Sequence, residues 1–487
     1  MNPGRYLLSK TTLLKFKQCA KALYLHVHKP QLRDPIAPEL KHRFLQGNQI
    51  GLLAHQLFPG GIDVSKQART NSDRLQLTQQ LLTQNQRVLY EATFECKGLL
   101  VMVDILVHTG TELLAYEVKS STRITETYLS DAQLQFWVLK QVFKQPVKMH
   151  LIGINPQYRL NGALDLKSYF KIYPLQEEPS QNLSTEQDVA SGHRVLESSQ
   201  APTLLPGKHC IKPYKCDFFN HCNPQKSQHG IPIPQMSQEV LESWNQKKYF
   251  DFTDLPINEL PAKYQRIRWA IQNQSWHLDT DFYQHWKQGI ALPVASMDLE
   301  TWTSPLPEIQ ATGPWESIPF LAAVYSHSQG LQCAFVDHTE TDQRYAFTCQ
   351  LLKLTEPFAS ILVFDKTLET LTLQTIAGLY PDLKQACYNL IDKFRDVFEL
   401  FKEAHVYHPQ FQHQFNLKSI SRVLNPEIPE SDILKNGIDA LIAFNTYRQE
   451  TNPILKEITK NQLEAYCGMD AQMTYAIFEK LPALFLK

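Results

Sequence analysis

The sequence lacks the features that mark membrane and secreted proteins. No apolar run in the 487 residues approaches the roughly 18 residues that a membrane helix needs. The N-terminal stretch lacks the apolar core and the small-residue cleavage site of a signal peptide. Neither sign of charge is in excess, since 48 Lys and Arg stand against 49 Asp and Glu. These absences predict a soluble, cytoplasmic protein without a membrane partner, and whole-chain charge predicts no partner.

The motifs of common nucleotide-binding and hydrolytic α/β enzymes are also missing. The chain contains no Walker A loop, no GxGxxG and no GxSxG, so a metabolic enzyme of those classes finds no support. What the chain has is apolar material: 43% of residues are hydrophobic and 11% are aromatic, which suffices for sizeable cores. Two or three domains are expected at this length.

Strand and helix patterns alternate along the chain, which predicts the α/β fold class. Residues 1–222 form a first domain, residues 223–290 a linker and helical spacer, and residues 291–487 a second α/β domain. The linker is placed at 223–236, where the sequence is polar and contains Pro and Gly. Strands are predicted at Val88–Phe94, Leu99–His108, Leu113–Lys119, Met149–Ile154, Pro293–Trp302, Pro319–Ser326, Gln332–Val336 and Ser360–Asp365. Helices are predicted at Leu13–Tyr24, Leu129–Phe143, 383–405, 437–449 and 459–484.

Three charged residues on neighbouring predicted strands form a first candidate site. Asp104 interrupts the apolar strand VMVDILVH, and Glu117 and Lys119 lie two apart on the next strand, so both face one side. A buried carboxylate must be paired or must hold a cation. The trio therefore predicts carboxylates that bind Mg²⁺ or Mn²⁺ and a lysine that orients the attacking water. An ordinary Glu–Lys pair at a sheet edge is the alternative.

Four of the nine cysteines are grouped in an unusual way. Cys210, Cys216 and Cys222 follow one another at steps of six residues, and Cys19 stands alone near the N-terminus. In a reducing compartment, grouped cysteines indicate metal or cluster ligands before disulfides. Structural zinc is one alternative, although zinc sites usually contain closer C-x₂₋₄-C pairs.

On these residues, the stretch 10–222 resembles the PD-(D/E)xK nucleases of the RecB family, particularly those with an iron–sulfur cluster. The resemblance implies a restriction-endonuclease-like fold in which the Asp and Glu-x-Lys residues are catalytic. It adds Gln133 from a Gln-x-x-x-Trp pattern that ends at Trp137, with Gln135 as the alternative amide, and His55 as a further metal ligand. Such nucleases carry one Cys before the catalytic core and three after it, which implies a [4Fe–4S] cluster held by the four grouped cysteines.

A second set of carboxylates lies in the last domain. Asp298 and Glu300 are two apart on a predicted strand, and adjacent acids repel unless a cation lies between them. Tyr466 and Asp470 are one turn apart on a predicted helix. This order resembles the RNase H-like three-prime-to-five-prime exonucleases of the DEDD type, in the Tyr-containing (DEDDy) branch. The resemblance implies two divalent ions, with Asp470 as the last ligand and Tyr466 positioning the water.

The middle motif of that exonuclease family is Asn-x-x-Phe/Tyr-Asp, and the corresponding stretch here is FDKTLE. Asp365 takes the Asn place and Glu369 the Asp place, so the resemblance implies one of these two as the remaining metal ligand. Glu is one methylene longer than Asp, and weak or selective activity is therefore expected. Lys418, farther along, is interpreted as a loop residue in preference to a phosphate contact.

Nearly the whole chain is similar to a family of uncharacterised bacterial proteins that joins an iron–sulfur nuclease-like front to an exonuclease-like rear. The stretches PFLAAVYSH, YPDL, YHPQFQHQFNLKSI and NGIDA carry this similarity. The leading hypothesis is a metal-dependent nuclease that acts on nucleic acid, with DNA favoured over RNA. The alternative is a non-catalytic nucleic-acid-binding or scaffold protein in which one or both sites have decayed.

Overall fold

The computed structural model describes residues 7–176, 179–222, 238–247, 249, 252–338, 341–428 and 433–486. The chain divides into two compact units. The first comprises Met1–Pro224, Ile233–Asn245 and Pro305–Pro314, and the second comprises Gln225–Pro232, Gln246–Ser304 and Trp315–Lys487. Both units mix helices with sheets, which confirms the α/β class. The linker predicted at 223–236 lies outside the described residues.

The first unit is built on a seven-stranded mixed sheet. Its strands are β1 (Leu8–Ser9), β2 (Ile62–Asp63), β3 (Val88–Cys96), β4 (Leu99–His108), β5 (Leu113–Val118), β6 (Val147–Ile154) and β7 (Phe170–Pro174). The strand order is β2-β3-β4-β5-β6-β7, with β1 pairing with β4. The β3–β4, β4–β5 and β6–β7 pairs are antiparallel, and the β1–β4, β2–β3 and β5–β6 pairs are parallel.

Helices cover both faces of this sheet, because its strands carry apolar side chains on both sides. Two apolar cores result: one contains Val101 of β4 and Leu134, and the other contains Ile105 of β4 and Ile50. The helices are α1 (Lys10–Gln18), α2 (Ala20–His28), α3 (Pro38–His55), α4 (Val64–Gln67), α5 (Asn71–Thr83), α6 (Glu126–Val142), α7 (Leu166–Tyr169), α8 (Pro179–Glu197) and α9 (Phe219–Cys222). α10 (Gln238–Gln246) follows in the chain.

The second unit contains a five-stranded sheet and a two-stranded one. Its strands are β8 (His277–Leu278), β9 (Val294–Trp302), β10 (Ile318–Ser326), β11 (Gly330–Phe335), β12 (Ser360–Val363), β13 (Phe394–Asp396) and β14 (Val406–Tyr407). The large sheet has the order β11-β10-β9-β12-β13. β10 is antiparallel to β9 and β11, whereas β12 is parallel to β9 and β13. β8 and β14 pair separately.

The helices of the second unit include a long C-terminal one that lies on β9 and β10. They are α11 (Ala262–Asn273), α12 (Thr280–Gln288), α13 (Arg344–Thr355), α14 (Thr367–Leu379), α15 (Lys384–Asp392), α16 (Glu399–Lys402), α17 (Leu417–Leu424), α18 (Gly437–Gln449) and α19 (Pro453–Phe485). None of the helices in the described part of the chain is long and apolar enough to cross a membrane.

Two predicted helices are wrong in their extent. The helix expected at Leu13–Tyr24 breaks at Cys19, whose extended backbone separates α1 from α2. The helix expected over 383–405 is interrupted by β13, where Phe394 and Asp396 are buried in the parallel pairing with β12. In both places tertiary contacts override an apolar spacing that suits a continuous helix.

Candidate functional site

Strands β4 and β5 bring the first two carboxylates together. The antiparallel pairing of Ile105 with Tyr116 places Asp104 opposite Glu117 on the adjacent strand. Asp104 Oδ2 accepts a hydrogen bond of 2.6 Å from the backbone N–H of Val118. The Glu117 side chain is only 3% exposed. We refer to Asp104, Glu117 and the charged groups around them as the front site.

Two lysines neutralise Glu117. The Lys119 ammonium donates to Glu117 Oε1 at 2.6 Å, and the Lys10 ammonium donates to the same oxygen at 2.8 Å. Both ammonium groups also contact Asp131 on α6, Lys10 at 3.0 Å from Oδ1 and Lys119 at Oδ2. Burial alone would raise the pKa of Glu117, but the two lysines outweigh it and hold this pKa well below its usual range.

Asp104 is in the opposite electrostatic state. Burial, followed by the charge of Glu117, raises its pKa well above the usual range. Glu91 on β3 adds to this repulsion, and its own pKa is raised by burial and by Asp63 and Glu117. Glu91 has a φ of 55°, a left-handed backbone conformation that marks an irregularity in the β3–β4 pairing next to Asp104. Sequence reasoning missed Glu91, because a strand pattern does not reveal a local change of backbone conformation.

Helix α6 supplies the amide of the front site, but not the one predicted. The Gln135 Nε2 group donates to Glu117 Oε2. Gln133 instead donates to the backbone carbonyl of Gln176 at 2.8 Å, and Trp137 lies in the apolar core. Asp131 and Gln135 are one helical turn apart and so share the face that reaches Glu117. The structure thus brings Gln135, the alternative amide, and not Gln133 or Trp137, to Glu117.

His55 ends α3 and is engaged elsewhere. Its ring stacks on Tyr90, with ring centroids 3.8 Å apart and an interplanar angle of 6°. Burial lowers its pKa, and the charged groups that act on it are Asp63 and Lys66. The structure thus places His55 with Tyr90 and Asp63, and no contact with Asp104 or Glu117 supports the predicted ligand role.

The four grouped cysteines line one pocket. Cys19 lies at the α1–α2 break, and Cys210, Cys216 and Cys222 approach it from the later segment. Burial raises the pKa of the Cys216 thiol to about 11, and the three other cysteines add to the shift. Burial likewise raises the pKa of Cys210 and of Cys222. We call this group the cysteine pocket.

Polar contacts of α1 fix the geometry of the cysteine pocket. Gln18 donates to the backbone carbonyls of His209 and Tyr214, both at 2.7 Å. The Lys15 ammonium lies 2.7 Å from Asp217 Oδ2. All four cysteines are free thiols. Four neighbouring thiols that a helix aligns with a distant loop form a donor set suited to an iron–sulfur cluster.

In the second unit, β9 and α19 bring the sequence-distant acids together. The Ser296 hydroxyl donates to the carbonyl of Ala471 at 2.6 Å, and the Cys467 thiol donates to the carbonyl of Asp298 at 3.4 Å. α19 therefore lies directly against β9, and Asp470 acts on both Asp298 and Glu300. We refer to these three acids, with Glu369, as the rear site.

The rear carboxylates strongly disfavour ionisation. Burial, with the charge of Asp470, raises the pKa of Asp298 to about 7. Burial, with the charge of Asp298, raises the pKa of Glu369 to about 8. The pKa of Glu300 rises well above its usual range for the same reasons. Asp298 Oδ2 and Glu369 Oε2 are buried without a hydrogen-bond partner, which is costly for oxygens that can ionise.

Of the two predicted middle residues, the structure brings Glu369 to the rear site. Glu369 lies in the first turn of α14 and is 5% exposed. Asp365 is exposed, and its Oδ1 accepts hydrogen bonds from the hydroxyl and backbone N–H of Thr367, at 2.6 and 3.3 Å. Asp365 therefore makes its hydrogen bonds to Thr367 at the start of α14, and it acts on Glu369 only through its charge.

Tyr466 and Lys418 complete the rear site. Tyr466 is 4% exposed, and burial together with Asp470 and Glu300 raises its pKa strongly. The Lys418 ammonium lies 4.7 Å from the centroid of the Tyr466 ring and lowers the pKa of Asp298 and Glu300 in part. The interpretation of Lys418 as a plain loop residue is wrong, since it lies in the first turn of α17 beside the acids.

Across the described residues, no three His, Cys, Asp or Glu side chains are arranged to hold a single metal ion. The residue types of the front and rear sites nevertheless fit Mg²⁺ and Mn²⁺, which prefer oxygen ligands.

Comparison with known protein families matches part of the chain to a domain whose function is unknown. A family model described as a domain of unknown function, DUF2779, matches residues 295–415. No curated protein matches. The chain is 12% identical in sequence to SSO0001, for which a crystal structure exists, and the TM-score is 0.23. The aligned region covers 39% of this chain and 77% of that one. It is 14% identical to the family B DNA polymerase of Pyrobaculum calidifontis, with a TM-score of 0.25, covering 39% and 24%. Neither structure defines the fold of this chain.

Proposed function

We propose that the protein is a metal-dependent nuclease that hydrolyses phosphodiester bonds in nucleic acid, with DNA favoured over RNA. The observation that carries the proposal is the rear site, where Asp298, Glu300, Glu369 and Asp470 come from one strand and two helices. Acids that raise one another's pKa and include buried, unpartnered oxygens are tolerated where a cation binds. The arrangement supports an RNase H-like, DEDDy-type exonuclease site in the second unit.

In the rear site, the four acids would hold divalent ions, which supply stabilisation of the attacking and leaving oxygens. Tyr466 stands one turn before Asp470 on α19, so its hydroxyl can orient the water. Lys418, which faces the same ring, balances part of the negative charge. Glu369 in place of an aspartate supports weak or selective activity.

In the front site, Asp104 and Glu117 would hold a divalent ion as in PD-(D/E)xK nucleases, and the ion would supply Lewis-acid activation of water. Lys119, which pairs with Glu117 and Asp131, would orient that water. Gln135 holds Glu117 in position. The cysteine pocket would hold a [4Fe–4S] cluster that fastens α1 to the segment around Cys210–Cys222.

A non-catalytic nucleic-acid-binding or scaffold protein is the second candidate. It is favoured by the pairing of Glu117 with two lysines and an amide, which leaves that carboxylate satisfied without a metal. Divalent-metal-dependent degradation of labelled single- and double-stranded DNA and RNA separates the two. Degradation that disappears in the Glu117→Gln, Asp298→Asn double variant supports the nuclease. Salt-dependent binding of the same oligonucleotides without degradation supports the scaffold.

A further inference from the structure

Lys10 is a residue of the front site that the nuclease motif does not include. It begins α1, and its partners lie 107 and 121 positions away in the sequence, on β5 and α6. Its ammonium is 2.8 Å from Glu117 Oε1 and 3.0 Å from Asp131 Oδ1. It also acts electrostatically on Asp104. One ammonium group therefore lies among the three carboxylates that face this part of the sheet.

The backbone around Lys10 is fixed by its neighbours. Leu8 and Ser9 form β1 and pair with Leu99 and Leu100 of β4. Ser9 caps α1 in a capping box with Thr12: the Ser9 hydroxyl accepts from the Thr12 N–H at 3.2 Å, and the Thr12 hydroxyl accepts from the Ser9 N–H at 2.8 Å. The start of α1 is thus attached to the strand that carries Asp104, and Lys10 is held at the site.

The helix itself does not favour a cation at this place. The N-terminus of a helix carries partial positive charge, so an ammonium in the first turn is destabilised and a carboxylate would be stabilised. The first turn of α1 has no acidic residue. Glu117 and Asp131 therefore provide the attraction that holds Lys10 where it lies.

Three donors already contact the oxygens of Glu117 while Lys10 is bound, two of them on the same oxygen. Oε1 accepts from both Lys10 and Lys119, and Oε2 accepts from Gln135. A divalent ion needs a carboxylate oxygen at about 2.0–2.1 Å and repels a neighbouring ammonium. Lys119 has a further contact, with its ammonium 5.3 Å from the centroid of the Tyr128 ring. The Lys10 ammonium lies farther from Glu117 Oε1, at 2.8 Å against 2.6 Å for Lys119, so Lys10 is the lysine that is displaced more easily.

We propose that Lys10 is an internal counter-ion that occupies the cation position of the front site and competes with a divalent metal for Glu117. The proposal rests on the proposed metal-dependent function of that site. Lys10 then sets the metal concentration at which the front site becomes loaded. It acts on the metal ligands and not on the substrate, so it is a positioning residue and not a catalytic one.

The test measures the affinity of the full-length protein for Mn²⁺ in an Asp298→Asn background. Calorimetry reports the heat of binding, and electron paramagnetic resonance reports the concentration of free Mn²⁺. Binding that is lost on Glu117→Gln reports the front site. Lys10→Met is expected to bind Mn²⁺ at least about tenfold more tightly, because a like charge next to the ion has been removed. Lys10→Gln, which keeps a hydrogen-bond donor, provides a second variant where Lys10→Met folds poorly.

The matched control is Lys17→Met, which removes a lysine of the same helix whose ammonium pairs with Asp188 at 3.4 Å, away from the front site. It should leave the Mn²⁺ affinity unchanged. A Glu117-dependent affinity that is unchanged or weaker in both Lys10 variants overturns the role of Lys10 and leaves the nuclease proposal standing. Absence of any Glu117-dependent Mn²⁺ binding overturns the metal site itself.

Discussion

At the scale of single residues, the front site depends on which face of α6 points to Glu117. Gln135 is fully buried and donates to Glu117 Oε2, whereas Gln133 donates to the backbone carbonyl of Gln176. We expect Gln135→Leu, which keeps the volume and removes the donor, to lower Mn²⁺ affinity or cleavage by about 10–100-fold, as for other groups that orient a metal ligand. The isosteric control Gln133→Leu should change neither. An effect of Gln133→Leu equal to that of Gln135→Leu would contradict the assignment.

Glu117 is the residue on which the proposed cleavage at the front site would depend. In an Asp298→Asn background, we expect Glu117→Gln to reduce metal-dependent cleavage by more than about 100-fold, beyond the effect of groups that only orient a ligand. The glutamine keeps the shape, and circular dichroism should show that folding is retained. Glu112→Gln is the control, because Glu112 pairs with Lys148 at 2.7 Å and not with the front site. Cleavage that survives Glu117→Gln removes the front site from catalysis.

Glu369 makes the stability of the metal-free protein depend on pH. Its pKa is raised by burial and by Asp298 to about 8, against about 4.3 in an unfolded chain. Between these values the folded state holds a proton that the unfolded state has lost, so stability falls as pH rises, by up to about 1.4 kcal/mol per pH unit. In EDTA, Glu369→Gln should therefore raise the unfolding temperature at pH 8 and leave it nearly unchanged at pH 4. Equal shifts at both pH values would contradict the raised pKa.

At the scale of elements, the sequence predicts the strands better than it predicts which face of a helix packs against the sheet. Leu99–His108 is observed with the predicted bounds, because alternation with period two ties each side chain to a face. The same rule predicts that Glu117 and Lys119 meet, and they do. Gln133 and Gln135 are both buried, and only packing against the sheet decides which one faces Glu117. Lys10 could not be predicted, since no local pattern connects it with a strand 107 residues later.

The cysteine pocket joins α1 to the segment that carries three of its four cysteines. We expect anaerobically purified protein to be brown and to contain about four irons. Cys216→Ser should bleach the protein and lower the unfolding temperature of the first unit, because closing a loop between Cys19 and Cys210 constrains the unfolded chain. Cys387→Ser is the control, since Cys387 lies in the apolar core of the second unit. Colourless protein with stoichiometric zinc would decide against the cluster.

At the scale of the whole molecule, the chain carries two carboxylate sites of opposite electrostatic character in two units. In the front site, lysines compensate Glu117 and Asp131, so the site is stable without a metal. In the rear site, Lys418 offsets only part of the negative charge at Asp298 and Glu300, and burial raises the pKa of Asp298 and Glu369. If the proposed metal binding holds, the rear site would gain more from a divalent ion than the front site, and Glu369 would alter the ligand geometry.

This difference predicts that the two sites can be separated by metal and by substrate. In a Glu117→Gln background, we expect Mn²⁺ to support stepwise shortening of a single strand from its three-prime end, weakly because of Glu369. Asp298→Asn should abolish this shortening, while Asp365→Asn should leave most of it, since Asp365 is exposed and its Oδ1 accepts hydrogen bonds from Thr367. In addition, Mn²⁺ should raise the unfolding temperature at pH 8 in protein with Asp298 and not in Asp298→Asn, because an ion that binds only the folded state stabilises it. Stabilisation without shortening on DNA or RNA would identify the rear site as a metal-binding but catalytically decayed exonuclease site. Loss of both signals on Asp365→Asn would instead return Asp365 to the ligand set.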